Sequence, residues 1–432
     1  MNLTGVYMRW STLVAALLTF GSGSAFAAPI QVVRQAGSQY SALPQEVLYT
    51  DGDLAVVRQP EAVVADFADL FVVNMVNRLS ADSLQAFGDV LHLTPARFAV
   101  MRVSPEQVEA LAAKLHSEGL ACGVLTKLNP EFTVSAPGAA PTPLLPLAQA
   151  DARVSKLTAA VSEASLKELI STLAALPTRF ESTESGGGVA ALLAAKYRAL
   201  AAGRNDVTIV PYDHGRSTAQ HSLVVRILGS KFPDEILVLG SHLDSVNWRD
   251  GRSERAPGAD DNASGTATNL EIFRLLMAQG VRPQRTVEIH AYAAEEIGLV
   301  GSQDIANAYR RRGAKVVGML QYDMDFYRAE GEEPKVWLVS NNTSRPLNQM
   351  LGQLIDHYVG LPWQERYLSG GSSDHASWYR AGFATAFPFE DPYNYNHNIH
   401  SADDTADNSG DYALVAAYTK LGAAYVLHFA GL

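Results

Sequence analysis

Short apolar runs alternate with helical stretches over the second half of this chain. Strand-like runs occur at residues 223–228, 236–239, 287–291, 316–322, 336–339 and 383–387. Between them, apolar residues recur at helical spacing in 269–277, 302–311, 346–358 and 412–429. This alternation predicts an open α/β sheet with helices on both faces, because runs that are apolar throughout need cover on two sides. No internal repeat is visible.

The first half has a different character. Residues 98–103 read as strand and 104–119 as helix, with Val108, Leu111, Ala112 and Leu115 at helical spacing behind a Ser-Pro-Glu-Gln start. Residues 120–125 read as strand again, which makes a small βαβ unit. The Ala-, Pro- and Leu-rich stretch 136–148 then suits a protease-accessible linker. Residues 28–150 are therefore expected to form a small α+β pro-segment with linker, a stably attached accessory domain being the alternative. Residues 151–432 form the main domain.

The start of the chain carries Arg9, an apolar run over 13–20, and Ala25, Phe26 and Ala27 in a small-x-small pattern. Residues 1–27 thus read as a signal peptide, shorter if translation begins at Met8. The apolar run falls short of the roughly 18 residues of a membrane span. A secreted or periplasmic protein without stable membrane association is expected.

Composition narrows the picture further. A chain of 432 residues, 47% hydrophobic and 18% charged, is ordinary for a globular protein of two or three domains. A net charge of −11 without a basic cluster argues against nucleic acid as a partner. Cys122 is the only cysteine, so no intramolecular disulfide is possible, and its apolar surroundings read as those of an inert buried thiol. A monomer is expected.

The candidate chemistry lies in five segments: GSHLDS, APGADDNASG, AYAAEEIG, QYDMD and NHNIHSADDT. They offer imidazole and carboxylate but no thiolate, a donor set that suits zinc held for catalysis. Several follow directly on apolar runs, and ligands in open α/β sheets bind beyond the carboxyl ends of the strands. Convergence on one sheet edge is therefore expected. His242 reads as a metal ligand, with Asp244 holding its ring. Asp260 and Asp261 are divided between capping a helix and bridging two cations. The neighbours Glu295 and Glu296 repel unless cations offset them, which suggests one as ligand and the other as a free general base. Asp323 and Asp325, like His397 and His400, stay open on spacing alone.

Together GSHLDS, APGADDNASG, YAAEEIGLVGSQD, QYDMD, SDHASW, PFE and IHSADDT resemble, in order and spacing, the co-catalytic di-zinc aminopeptidases of the secreted bacterial leucyl aminopeptidase type. The resemblance covers about residues 151–432. It implies a three-layer phosphorylase/hydrolase-like α/β fold with a mostly parallel central sheet, and two zinc ions per chain. His242 and Asp323 would hold one ion, Glu296 and His400 the other, and Asp261 would bridge them. Glu295 would be the general base, and a cis peptide would follow Asp261. Met324, Phe387, Phe389 and Ile399 would line a pocket for a large hydrophobic N-terminal residue such as leucine, in peptides with a free N-terminal amine. His375 would be structural or would support a ligand from behind, since five ligands already account for both metals.

One loop departs from that pattern. The related enzymes carry a disulfide-bonded loop with a tyrosine before the SDH motif, whereas this chain has Gly370 and Gly371 there, leaving Tyr367 or Tyr393 as replacement oxyanion donors. Rival readings are a zinc carboxypeptidase or dipeptidase, which needs a cationic group for the substrate's terminal carboxylate, and a glutaminyl cyclase with one zinc. An inactive binding protein should have lost a ligand or the free glutamate, and none is missing.

Overall fold

The computed structural model describes residues 29–34, 46–51, 54–67, 69–74, 80–117, 125–130, 134, 150–368 and 372–431. The signal-peptide residues 1–27, Cys122, the linker 136–148 and Gly370 with Gly371 lie outside the described residues.

A six-stranded mixed sheet organises the main domain, in the order Thr385–Ala386, Lys315–Gln321, Phe232–His242, Arg285–Tyr292, Ser222–Ile227, Val207–Tyr212. The first four strands run parallel, and the last two add an antiparallel hairpin at one edge. The chain leaves Phe232–His242 through helix Gly265–Ala278 to its neighbour on one side, then returns through helix Val300–Arg311 to its neighbour on the other. That reversal is a topological switch point, where a crevice opens beyond the strand ends.

Both faces of the sheet are covered. Along Phe232–His242, Leu237 and Leu239 join the core beneath helices Gly265–Ala278 and Tyr412–Ala430, while Ile236 and Val238 join the opposite core with Ile305, Tyr309 and Trp378. Successive side chains of a strand point to opposite faces, so one continuous apolar run serves both layers. Helix Tyr412–Ala430 is long and apolar enough to cross a membrane, but its most apolar window is 83% buried within the protein, as a core helix would be.

A smaller sheet, Trp363–Arg366, Val336–Val339 and Pro388–Phe389, stands beside the first. Of residues 383–387, expected as one strand, only Thr385 and Ala386 are strand, because the chain passes from one sheet to the other here. Thr385–Ala386 pairs with the central sheet and Pro388–Phe389 with the smaller one. Phe387 is left at the crossing, where it packs into a cluster with Phe389 and Met324.

The expected βαβ unit is present in split form, while residues 120–124 of its second expected strand lie outside the described residues. Strand Leu70–Asn74 lies between Phe98–Arg102 and Leu125–Lys127 and runs antiparallel to both, so the two strands flanking helix Pro105–Ser117 are not neighbours. Strand Asp89–Thr94 completes this four-stranded sheet, and a three-stranded sheet of Ile30–Arg34, Leu54–Arg58 and Val47–Asp51 precedes it. The N-terminal region shares a core with the main domain, with Phe71, Leu111 and Leu115 clustered with Phe180, Val246 and Trp248. At the same seam the Lys127 N–H donates to the Gly298 carbonyl. Gly298 has φ +117°, and a Cβ there would meet the Lys127 nitrogen at 3.0 Å.

Candidate metal centre

The carboxyl ends of three parallel strands deliver four of the expected residues to one place. His242 closes strand Phe232–His242, Asp323 follows Lys315–Gln321, and Glu295 and Glu296 follow Arg285–Tyr292. The turn after Gly258 brings Asp261, and the loop after Phe389 brings His400. Left-handed backbone at Ala294 (φ +54°), Met324 (φ +59°) and His400 (φ +56°) marks the bends that aim these groups. Such strain in non-glycine residues persists only where the surroundings enforce it.

The five side chains form two groups that share Asp261: His242, Asp261 and Asp323, and Asp261, Glu296 and His400. His242 Nε2 lies 3.0 Å from Asp261 Oδ1 and 3.3 Å from Asp323 Oδ1. His400 Nε2 lies 3.1 Å from Asp261 Oδ2 and 3.0 Å from Glu296 Oε2. Asp261 thus turns one oxygen to each group, as a bridging carboxylate must. The peptide bond between Asp261 and Asn262 is cis, as expected. Burial pushes the Asp261 carboxyl up, but the bonds and charges of His242 and His400 outweigh it and hold it below the usual carboxylate range.

Glu295 differs from all of these. It is 1% exposed, and neither of its oxygens has a hydrogen-bond partner among the described residues. Burial, aided by Asp374, Glu296 and Asp323, holds its carboxyl well above the usual range against the pull of His242. Burial likewise lifts Glu296 to about 7. So many carboxylates packed without compensating donors are costly. Divalent cations would answer that cost, and the mixed nitrogen and oxygen donors suit zinc. The residues present fit the implied metals.

The backbone beneath Glu295 is held by four side-chain acceptors. Ala293 N–H donates to Ser222 Oγ at 2.9 Å and Ala294 N–H to Gln220 Oε1 at 3.1 Å. Glu295 N–H and Glu296 N–H donate to Asp244 Oδ1 and Oδ2 at 3.1 and 3.2 Å. Asp244 Oδ1 also lies 3.4 Å from His242 Nδ1, so the expected ring-holding carboxylate anchors the glutamate loop as well. Ser222 continues to His214 Nε2 at 2.7 Å, whose Nδ1 lies 2.9 Å from Asp304. The three stand in the order of a nucleophilic triad. Yet Ser222 is fully buried and its oxygen is engaged by Ala293, so the arrangement braces the loop.

Other expectations are settled locally. Asp260 accepts from Phe326 N–H and Asn396 Nδ2, while Asn262 Oδ1, not Asp260, caps helix Gly265–Ala278 through Gly265 N–H. Asp325 accepts from Thr268, and His397 is exposed and stacks on Tyr395, so both lie off the site. Ser373 Oγ donates to Asp323 Oδ2 at 2.6 Å. His375 donates through Nε2 to the Asn341 carbonyl and stacks on Phe387, with burial driving its pKa down to about 3, a structural role. Met324, Phe387, Phe389 and Ile399 fall in one buried cluster beside Asp323. Tyr367 and Tyr393 are 57% and 65% exposed, and Arg366 lies 4.1 Å from the Tyr393 ring.

Sequence reasoning missed Arg179 and Asp404. Arg179 is buried and donates to the carbonyls of Leu243, Pro257 and Gly258, pinning the His242 loop to the Asp261 turn. Asp404 accepts the Asp260 and Asp261 N–H groups at 3.1 and 3.0 Å and so ties the His400 segment to that turn. Nothing in LPTRFES signals the first, whereas the second lies within the IHSADDT motif.

Residues 222–426 match the model of peptidase family M28. A probable aminopeptidase of Saccharomyces cerevisiae is 39% identical over 223 residues, covering 50% of this chain and 59% of that protein. A probable leucine aminopeptidase 1 of Trichophyton verrucosum is 32% identical over 290 residues, covering 64% of this chain and 76% of that protein. The chain thus spans little more than half the length of some relatives and about three quarters of others. Among solved structures, the LapA aminopeptidase of Legionella pneumophila is 25% identical with a TM-score of 0.73, covering 84% of this chain and 98% of that one. The fold is the α/β phosphorylase/hydrolase-like fold of such aminopeptidases. From its sequence and its architecture, this chain belongs to peptidase family M28.

Proposed function

We propose that this protein is a zinc-dependent aminopeptidase. It hydrolyses the N-terminal bond of peptides, with preference for a large hydrophobic first residue such as leucine. The observation that carries this reading is Glu295, buried and without a hydrogen-bond partner among the described residues, beside two ligand groups that share Asp261. The activities named for the yeast and Trichophyton relatives agree with it.

His242, Asp261 and Asp323 would hold one zinc ion, and Asp261, Glu296 and His400 a second. Bound zinc supplies Lewis acidity toward the scissile carbonyl and toward the attacking water. The chain's own residues do the rest. Glu295, kept basic by burial, accepts the proton of the attacking water and returns it to the leaving amine. Asp244 fixes the height of that carboxylate through the Glu295 N–H. Met324, Phe387, Phe389 and Ile399 exclude water from the first side chain.

The carboxypeptidase rival would need a free cation at the site, whereas the buried guanidinium of Arg179 is spent on backbone carbonyls. The one-zinc cyclase reading is disfavoured by two complete ligand groups. For residues 28–150, the shared core around Phe71 and Trp248 favours an accessory domain over a removed pro-segment. The Legionella likeness supports the same choice, since it covers more of the chain than residues 151–432 supply. Export as a monomer remains part of this proposal.

Exopeptidase polarity is tested with zinc-loaded protein and three forms of one leucyl peptide: free-amine, N-acetylated and C-terminally amidated. Hydrolysis of the free and amidated forms alone supports the reading. Cleavage of the acetylated form excludes it.

A further inference from the structure

A cleft of about 150 Å³ lies on the seam between the N-terminal region and the main domain. Phe71, Val103 and Val108 line it from one side, and Phe180, Trp248 and Ile297 from the other. Its surface is mostly apolar, and the charged residues that reach it, Asp69, Glu181, Lys127 and Arg252, carry two charges of each sign. It therefore selects for neither acids nor bases. An apolar cavity of this size holds a benzene-sized group.

The cleft adjoins the metal centre on one particular edge. Ile297 follows Glu296 in sequence, and the Trp248 N–H donates to the His400 carbonyl at 3.0 Å. Of the five ligand side chains His400 is the most exposed, at 6%, against at most 2% for the other four. The ligand groups come nearest to solvent at His400. The buried cluster of Met324, Phe387, Phe389 and Ile399 adjoins Asp323 through Met324 and His400 through Ile399. A peptide whose first side chain fills that cluster and whose backbone leaves at His400 runs past Trp248.

We propose that this seam cleft receives an apolar or aromatic side chain of the peptide's second residue, so that the N-terminal region contributes directly to substrate selection. The inference rests on the aminopeptidase reading. It adds a second subsite built partly by residues that lie outside the match to the family model, Phe71, Val103, Val108 and Phe180, since that match begins at residue 222. Val108 is the most practical probe, since it lines the cleft from helix Pro105–Ser117 and is only partly buried.

The test compares kcat/KM for Leu-Gly and Leu-Phe in zinc-loaded wild type, Val108→Trp and Val108→Ala. Wild type should favour Leu-Phe by about tenfold or more, the discrimination an apolar pocket provides. Val108→Trp fills the cleft and should abolish that preference while leaving Leu-Gly turnover near wild type. Val108→Ala deepens the cleft and should raise Leu-Trp relative to Leu-Leu. A wild type that cleaves Leu-Gly and Leu-Phe equally, or a preference unchanged in Val108→Trp, overturns the subsite alone. A wild type inert toward every Leu-X dipeptide overturns the aminopeptidase reading and this inference with it.

Discussion

Asp244 Oδ1 accepts the backbone N–H of Glu295 at 3.1 Å while lying 3.4 Å from His242 Nδ1. A single carboxylate therefore sets both the ring of a proposed metal ligand and the position of the proposed base. Replacing it with asparagine turns an amide N–H toward donors. Asp244→Asn should weaken zinc binding by about 10–100-fold and lower kcat as well. Competition against a chromogenic chelator, alongside kcat, checks this. A variant with lowered kcat and wild-type zinc affinity would separate Asp244 from His242.

Gln220 and Ser222 act one step earlier, on Ala294 and Ala293. Gln220→Ala leaves a buried N–H without its acceptor, a loss of about 1–3 kcal/mol. The expected result is a lower melting temperature and a reduced kcat with KM little changed, because the loop carries the base and not the substrate pocket. A rise in KM at constant kcat would contradict the bracing role.

Much of this was legible in the sequence, for a physical reason. Parallel strands covered on both faces are apolar throughout, so runs such as 236–239 and 287–291 stand out, and function collects just beyond their ends. Edge elements were harder. Val207–Tyr212 is a half-exposed edge strand, with Val210 55% exposed, and its alternation is blurred by Pro211. Helix Glu184–Leu200 begins with three consecutive glycines after Ser185, which masks its period. The supports were hidden for another reason. Arg179 and Gln220 reach the site through backbone carbonyls and N–H groups, contacts that leave no motif.

Away from the site, Glu288 should govern part of the acid stability. Its carboxyl is buried, which pushes its pKa up, but His290, Tyr309 and Arg226 outweigh that and pull it to about 2. A depressed carboxylate stabilises the fold above its unfolded pKa of roughly 4.5, and that stability is lost as pH falls toward 2. The span corresponds to about 3 kcal/mol. Melting temperature followed from pH 6 to pH 2.5 should fall less steeply for Glu288→Gln than for wild type. Equal slopes would remove Glu288 from the acid transition.

Glu295→Gln should keep both metals yet lose roughly two to four orders of magnitude in turnover, as expected for a missing general base. Elemental analysis and single-substrate kinetics on the same preparation check both halves. Near-normal turnover would assign the proton transfer elsewhere.

On the proposed function, Asp261 would bridge two ions in one active centre. Metal-stripped protein titrated with zinc, with leucyl-peptide hydrolysis recorded at each addition, tests it most directly. Activity that becomes complete only after two equivalents per chain is the predicted result. Full activity at one equivalent, or hydrolysis by protein free of metal, would contradict it.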